Sequence, residues 1–213
     1  MPYFRRMKLI GLTGGIGTGK STVARMLRER GWTVHSSDVT AKEIMSTDPE
    51  VRREIADLLG PEVLTEGGLN KDLIAELVFG DSPEHKKRLQ QLDQIVHPRV
   101  LDRHMDVIEE EKDNGTRIVV IESALLFEVG LEDGFDWVVV VDCPDEIRIP
   151  RVMERSGLSE EQVSARIKEQ LPMQEKRSLA DFVIENAGSL DDLQRSVDKI
   201  ATILEIMPDP EGE

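Results

Sequence analysis

The chain has 213 residues, a formal charge of −15, 39% hydrophobic residues and one cysteine. That length can bury a real core and suggests one domain with room for a small insertion. The acidity argues against a general nucleic-acid surface, which needs a basic stripe, and a single cysteine excludes an internal disulfide. Small anionic ligands stay open, because a phosphate site depends on local N–H groups and one or two cations.

Met1 to Arg6 is basic without an apolar h-region and reads as a short extension, with the native start at Met1 or Met7. No apolar run is long enough to span a bilayer, so a soluble, cytoplasmic protein is expected. Leu9-Ile10-Gly11-Leu12 reads as the first strand. Gly14-Gly15-Ile16-Gly17-Thr18-Gly19-Lys20-Ser21 follows it and fits the phosphate-binding pattern G-x-x-x-x-G-K-S/T at every fixed position. Val23, Ala24, Met26 and Leu27 then recur at helical spacing. Strand, glycine loop and helix are what the pattern needs. The glycines let backbone N–H groups turn toward phosphate oxygens, and the helix N-terminus adds partial positive charge. Lys20 is placed to reach the terminal phosphates and Ser21 to hold Mg²⁺.

Gly31 stops the first helix, and Trp32 to His35 form the second strand. Asp38 comes just after it. A carboxylate there can orient an acceptor hydroxyl, since strand ends line the site in open α/β sheets, or it can cap the helix through Ala41 and Ile44. About eighty residues separate the second and third strands, and they read as helices: Pro49–Leu59, Leu69–Phe79, Pro83–Gln94 and Val100–Lys112. We expect a helical insertion at about 46–113, suited to holding a second substrate.

Ile118 to Ile121, Val138 to Val141 and Phe182 to Ile184 are the remaining strands. These β-branched runs suit a parallel sheet covered on both faces, the middle layer of a three-layer α/β fold. Cys143 reads as a buried thiol. The stretch 145–178 carries Arg151, Arg155, Arg166, Lys168, Lys176 and Arg177 and reads as a lid over phosphates. In the last helix, Leu190, Leu193, Val197, Ile200, Ile203 and Leu204 should pack on the sheet, and the tail from Pro208 should fray. The histidines lack neighbours at metal-ligand spacing.

The loop implies a nucleoside triphosphate without saying which class of protein uses it. A switch GTPase would read guanine with N-K-x-D. Here Asn70-Lys71-Asp72-Leu73 lacks the last aspartate, and no L-S-G-G-Q-like signature points to a transporter ATPase. A small-molecule kinase stays open, with Asp38 as the carboxylate it needs near an acceptor hydroxyl. A nucleoside or nucleotide monophosphate kinase and a non-catalytic nucleotide-binding switch are the alternatives.

Further motifs narrow this. The stretch Gly11 to Thr22, Asp38, His97-Pro98, Leu125-Leu126-Phe127-Glu128, Arg151-Val152-Met153-Glu154-Arg155, Gln170, Glu175-Lys176-Arg177 and Ala180 to Asn186 stand in family order and spacing. On these the chain resembles the dephospho-CoA kinase family from Leu9 to about Val197. It departs from the family pattern at four places: Ser36 stands for the first aspartate of D-A-D, Ala124 for the proline before L-L-F-E, Glu122 for the aspartate two residues earlier, and Lys71 for an arginine often found early in the insertion.

The resemblance implies a P-loop fold with a five-stranded parallel sheet in the order 2-3-1-4-5, a helical acceptor-binding insertion and a lid. It implies ATP-dependent phosphorylation of the ribose 3′-hydroxyl of dephospho-CoA, with Mg²⁺ as cofactor. Asp38, Lys20, Arg151 and Arg155 would be catalytic. Gly14, Gly15, Ile16, Gly17, Thr18, Gly19, Lys20, Ser21, Thr22 and Asn186 would bind the nucleotide, and Ser21 with Glu122 the metal. His97, Leu125, Phe79 and Lys71 would meet the acceptor, Phe127 with them, with capping the other reading of His97 and core packing that of Leu125, Phe79 and Phe127. Expected partners are these small molecules, with no nucleic acid and no membrane, in a monomer or a homo-oligomer.

Overall fold

Five apolar runs pair into one parallel sheet because each can be covered on both faces. The computed structural model describes residues 6–80 and 82–209. The basic start and the end of the acidic tail (1–5 and 210–213) lie outside the described residues. In chain order the elements are β1 (Lys8–Thr13), α1 (Lys20–Glu29), β2 (Thr33–Ser36), α2 (Ser37–Thr47), α3 (Pro49–Leu59), β3 (Leu64–Thr65), β4 (Gly68–Leu69), α4 (Lys71–Val78), α5 (Pro83–Asp113), β5 (Ile118–Glu122), β6 (Trp137–Asp142), α6 (Asp145–Ser156), α7 (Glu160–Lys168), α8 (Met173–Leu179), β7 (Phe182–Glu185) and α9 (Leu190–Ile206). The main sheet runs β2-β5-β1-β6-β7 with every pair parallel. Counting only these five strands along the chain, the order is the expected 2-3-1-4-5.

The chain divides into two units, one through Ser36 and again from Ile108, the other Ser37–Val107. In the first, Ile10, Leu12, Val120 and Val139 pack against Val23 and Leu27 of α1 and Leu193, Val197, Ala201 and Leu204 of α9. Leu126, Phe127, Val138 and Val140 form a second buried cluster. Lys8 stretches from β1 to the end of α9, where its ammonium donates to the Leu204 carbonyl at 2.9 Å and the Met207 carbonyl at 2.6 Å. Those carbonyls have no partner within the helix, so the cation satisfies them and meets the negative end of the dipole. Leu190, expected to pack on the sheet, is 58% exposed. It is the first residue of α9, following the Ser189 cap, where the helix has not yet turned its apolar face inward.

The second unit has its own core of Val51, Ile55, Leu59, Val63, Ile74, Val78, Leu92, Val96 and Val100. Asp48 caps α3 by accepting from Glu50 N and Val51 N, with Pro49 in the first turn, where its missing N–H costs nothing. Asn70 caps α4 in the same way. A short hairpin, β3–β4, was not expected.

The larger difference is α5. Two helices, Pro83–Gln94 and Val100–Lys112, were expected on either side of Pro98, but the structure has one helix of 31 residues. Proline inside a helix removes one backbone bond and crowds the preceding turn. Here Arg99 donates from Nη1 to the Ile95 carbonyl at 2.7 Å, supplying a donor beside the break. Leu92, Val96 and Val100 keep four-residue spacing through it. Burial of that stripe outweighs the local cost of proline.

Candidate active site

Strand β1 ends at Thr13 and α1 begins at Lys20, leaving six residues for a loop at the C-terminal edge of the sheet. The loop must turn at once, and glycine allows it. Gly14 has φ of +147°, and a Cβ there would strike the Val141 carbonyl of β6. Gly19, the residue before α1, sits in the left-handed region at φ 98°. No side chain caps α1 and no acidic residue occupies its first turn, so its N–H groups and dipole are left for an anion.

The loop is tied from within and from the other strand ends. Thr18 Oγ1 donates to the Gly15 carbonyl at 2.9 Å, and Lys20 Nζ, buried, donates to the same oxygen at 3.1 Å. Asn186, just past β7, donates from Nδ2 to the Thr18 carbonyl at 2.8 Å. Gln170, between α7 and α8, accepts from Ile16 N at 2.8 Å. Arg148 of α6 is 4% exposed and held by Asp145 at 2.8 Å, and a Cβ on Gly15 would meet its guanidinium. Arg151, one turn on, donates from Nη1 to the Asn186 carbonyl at 3.3 Å. That guanidinium is 3.5 Å from Cys143 Sγ. Burial pushes the Cys143 thiol above its ordinary value, so it stays protonated at neutral pH. Arg155, in the last turn of α6, is exposed and has no protein partner among the described residues.

On the other side of β1, Glu122 ends β5 as the register partner of Leu12. Its carboxylate is buried, and Oε2 accepts from Ser36 Oγ at 2.6 Å. Oε1 has no hydrogen-bond partner among the described residues. Ser21, in the first turn of α1, is exposed. A buried carboxylate with one open oxygen and a hydroxyl at a helix start are hard-oxygen donors of the kind Mg²⁺ takes.

A buried ion pair secures the 169–172 segment. Lys176, with no exposed side-chain surface, lies 2.7 Å from Glu128 Oε1 and donates to the Ala124 carbonyl at 2.8 Å. Leu171 N donates to the same Glu128 oxygen at 2.8 Å. Burial, the largest influence, pulls the Lys176 ammonium below its ordinary value, and Glu128 pushes it back up.

Among the residues expected at the site, the structure brings together the loop, Thr22 at its far end, Glu122, Arg151 and Asn186 around the first unit's strand ends. Leu125 is half-buried on the segment after β5, and Phe127 is core. Asp38, Lys71, Phe79 and His97 belong to the second unit. Asp38 is exposed, and α2 begins one residue before it, so the helix-cap reading fails: it is the second helical residue. His97 is not a cap either. It lies in mid-helix, with Nε2 3.6 Å from Asp93 one turn earlier. Lys71 is the exposed first residue of α4, and Phe79 is 42% exposed, not packed in a core. Three residues had no expected role: Arg148, Gln170 as a contact to the loop, and the buried His104, which is 2.9 Å from Ser37 Oγ. Arg148 carried a signal, three residues before Arg151 and so on the same face of one helix. His104 had none.

A parallel sheet in this order, with a glycine-cradled helix start and an arginine-bearing segment against the loop, defines a P-loop kinase. Comparison with known proteins narrows the class. The model of the dephospho-CoA kinase family matches residues 8–192, and the chain belongs to that family, which catalyses the last step of coenzyme A biosynthesis. A dephospho-CoA kinase of Deinococcus radiodurans is 43% identical over 198 residues, 92% of each chain. Among solved structures, TT1252 of Thermus thermophilus superposes with a TM-score of 0.77 at 39% identity, covering 95% of this chain and 99% of its own. The dephospho-CoA kinase of Campylobacter jejuni gives 0.66 at 26% identity, covering 92% and 96%. The chain is therefore a phosphotransferase of a family that uses ATP and dephospho-CoA. Among the described residues no helix is long and apolar enough to cross a membrane.

Proposed function

We propose that the chain moves the γ-phosphoryl of ATP to the ribose 3′-hydroxyl of dephospho-CoA, giving coenzyme A and ADP. Phosphoryl transfer needs in-line placement and neutralised oxygens more than covalent help from the protein. The observation that carries the reading is the loop: an uncapped helix start, a buried lysine and glycines closed against β6 and Asn186. Amides from Gly15 to Lys20 cradle the phosphates. Lys20 leaves the Gly15 carbonyl for the β and γ oxygens, a stronger, charged acceptor. Ser21 and, through water, Glu122 would hold Mg²⁺, which would supply positive charge at the phosphates. Asp38 orients the acceptor hydroxyl and takes its proton. Arg151 or Arg155 offsets developing charge as 145–178 closes and excludes water. His97, Lys71, Phe79 and Leu125 contact the acceptor, and Asn186 holds the nucleotide side. The enzyme acts in the cytoplasm as a monomer or a homo-oligomer, without nucleic acid or membrane.

An ADP-release assay with dephospho-CoA, adenosine, AMP and shikimate tests this. Turnover should follow dephospho-CoA, and Lys20→Ala should abolish it in a protein that still folds. Preference for AMP or adenosine would make the chain a nucleotide or nucleoside kinase. Tight nucleotide binding with no acceptor-dependent turnover would make it a switch.

A further inference from the structure

Glu122 is 5% exposed, and a buried carboxylate needs a donor. Ser36 supplies it, donating from Oγ to Oε2 at 2.6 Å. The two are register partners on adjacent parallel strands, β2 and β5, the last residues of each. A glutamate has three side-chain torsions, so a strand end alone does not fix where its oxygens point. One charge-assisted bond to a neighbour set by sheet register does. It occupies one carboxylate oxygen and leaves the other open. A neutral hydroxyl is the suitable partner. It binds the carboxylate without a second negative charge, and unlike an arginine it leaves the carboxylate's charge uncompensated for a cation.

We propose that Ser36 is a positioning residue that locks Glu122 Oε2 so that Oε1 is held for the divalent ion or its water. The proposal rests on the reading of Glu122 as the metal carboxylate given above. Ser36 touches neither nucleotide nor acceptor in this role and acts only through Glu122. Position 36 must therefore be a hydrogen-bond donor of small size. Threonine keeps the bond, alanine loses it, cysteine keeps the volume with a weak donor, and aspartate sets a like charge against Glu122.

The test is Mn²⁺ binding to the full chain with a non-hydrolysable ATP analogue, followed by electron paramagnetic resonance, beside kcat and melting temperature. Ser36→Ala should weaken Mn²⁺ about tenfold, which equals about 1.4 kcal/mol, with the melting temperature nearly unchanged. Ser36→Cys should fall between alanine and the parent, Ser36→Thr should restore binding, and Ser36→Asp should be worse than alanine. Glu122→Gln should weaken Mn²⁺ at least as much, and adding Ser36→Ala to it should cost nothing more, because the bond acts through the carboxylate. Parent-like Mn²⁺ affinity in Ser36→Ala, with Glu122→Gln impaired, overturns the positioning role. So does a lower melting temperature with metal affinity intact. If Glu122→Gln itself leaves Mn²⁺ affinity unchanged, the reading of Glu122 fails first. Ser36→Thr and Ser36→Cys keep the question answerable if the alanine variant does not fold.

Discussion

Replacing Lys176 with methionine should be among the most damaging single changes outside the phosphate loop. The lysine has no exposed side-chain surface, and its ammonium sits between Glu128 and the Ala124 carbonyl. Methionine fills similar space but leaves the Glu128 carboxylate, 16% exposed, with only Leu171 N on Oε1, while Oε2 already has no hydrogen-bond partner. Breaking a buried pair from one side costs about 3–5 kcal/mol. The variant also sheds the burial penalty that pulls the Lys176 ammonium down, so the loss should fall near about 3 kcal/mol. For a chain of this size that lowers the melting temperature by about 6–12 °C, since each kcal/mol is worth roughly 2–4 °C. The KM for ATP should rise as well, because Glu128 anchors Leu171 and thereby sets Gln170 on Ile16 N. Urea denaturation and steady-state kinetics read the two effects. Lys176→Met with Glu128→Met should recover most of the stability, since apolar replacement of both partners is often neutral. The pH dependence has a defined sign. The folded ammonium titrates below 10.5 and the unfolded one at 10.5, so the unfolded chain holds more protons in that interval. The burial cost is fully present below the folded value, and this group's contribution to stability improves as pH rises from there toward 10.5. The methionine variant should lack that rise. A Lys176→Met protein within about 1 kcal/mol of the parent, with an unchanged KM, would refute the reasoning, since the cost of one uncompensated buried charge is larger.

Asp38→Asn should lower kcat about 10²-fold or more with nucleotide affinity unchanged, the usual worth of a positioned base, and a loss confined to melting temperature would count against it. Asn186→Ala leaves the buried Thr18 carbonyl without its 2.8 Å donor, so urea unfolding should show a loss of about 1–3 kcal/mol and titration a weaker ATP site. The bond from Arg30, with a smaller one from Trp32, holds the Glu205 carboxyl below its ordinary 4.5. Its contribution is therefore present above pH 4.5 and lost as pH falls through the folded value. The pair is about one-third exposed, so Glu205→Gln should remove no more than about 1 kcal/mol, and only above that range, as read by denaturation across pH.

The sheet was legible because each strand is a continuous β-branched run between turn residues, and a pattern of that kind has few alternatives. The phosphate loop was legible because its glycines and lysine are needed by backbone geometry and charge at adjacent positions. Family motifs added Asn186, Glu128 and the lid arginines as residues of interest. Pro98 misled, since local propensity argues for a break that the Leu92–Val96–Val100 stripe overrides. Ser36 and Glu122 illustrate the division most directly. In the sequence they are two separate departures from a family pattern, 86 residues apart, with nothing local to join them. Only strand pairing makes them register partners sharing a 2.6 Å hydrogen bond. The same holds for Lys176 with Glu128 and for Gln170 with Ile16. Elements, loop chemistry and reaction class follow from short-range patterns that the chain carries locally. Which polar side chains meet at the strand ends is decided by long-range pairing and burial, for which no local signal exists.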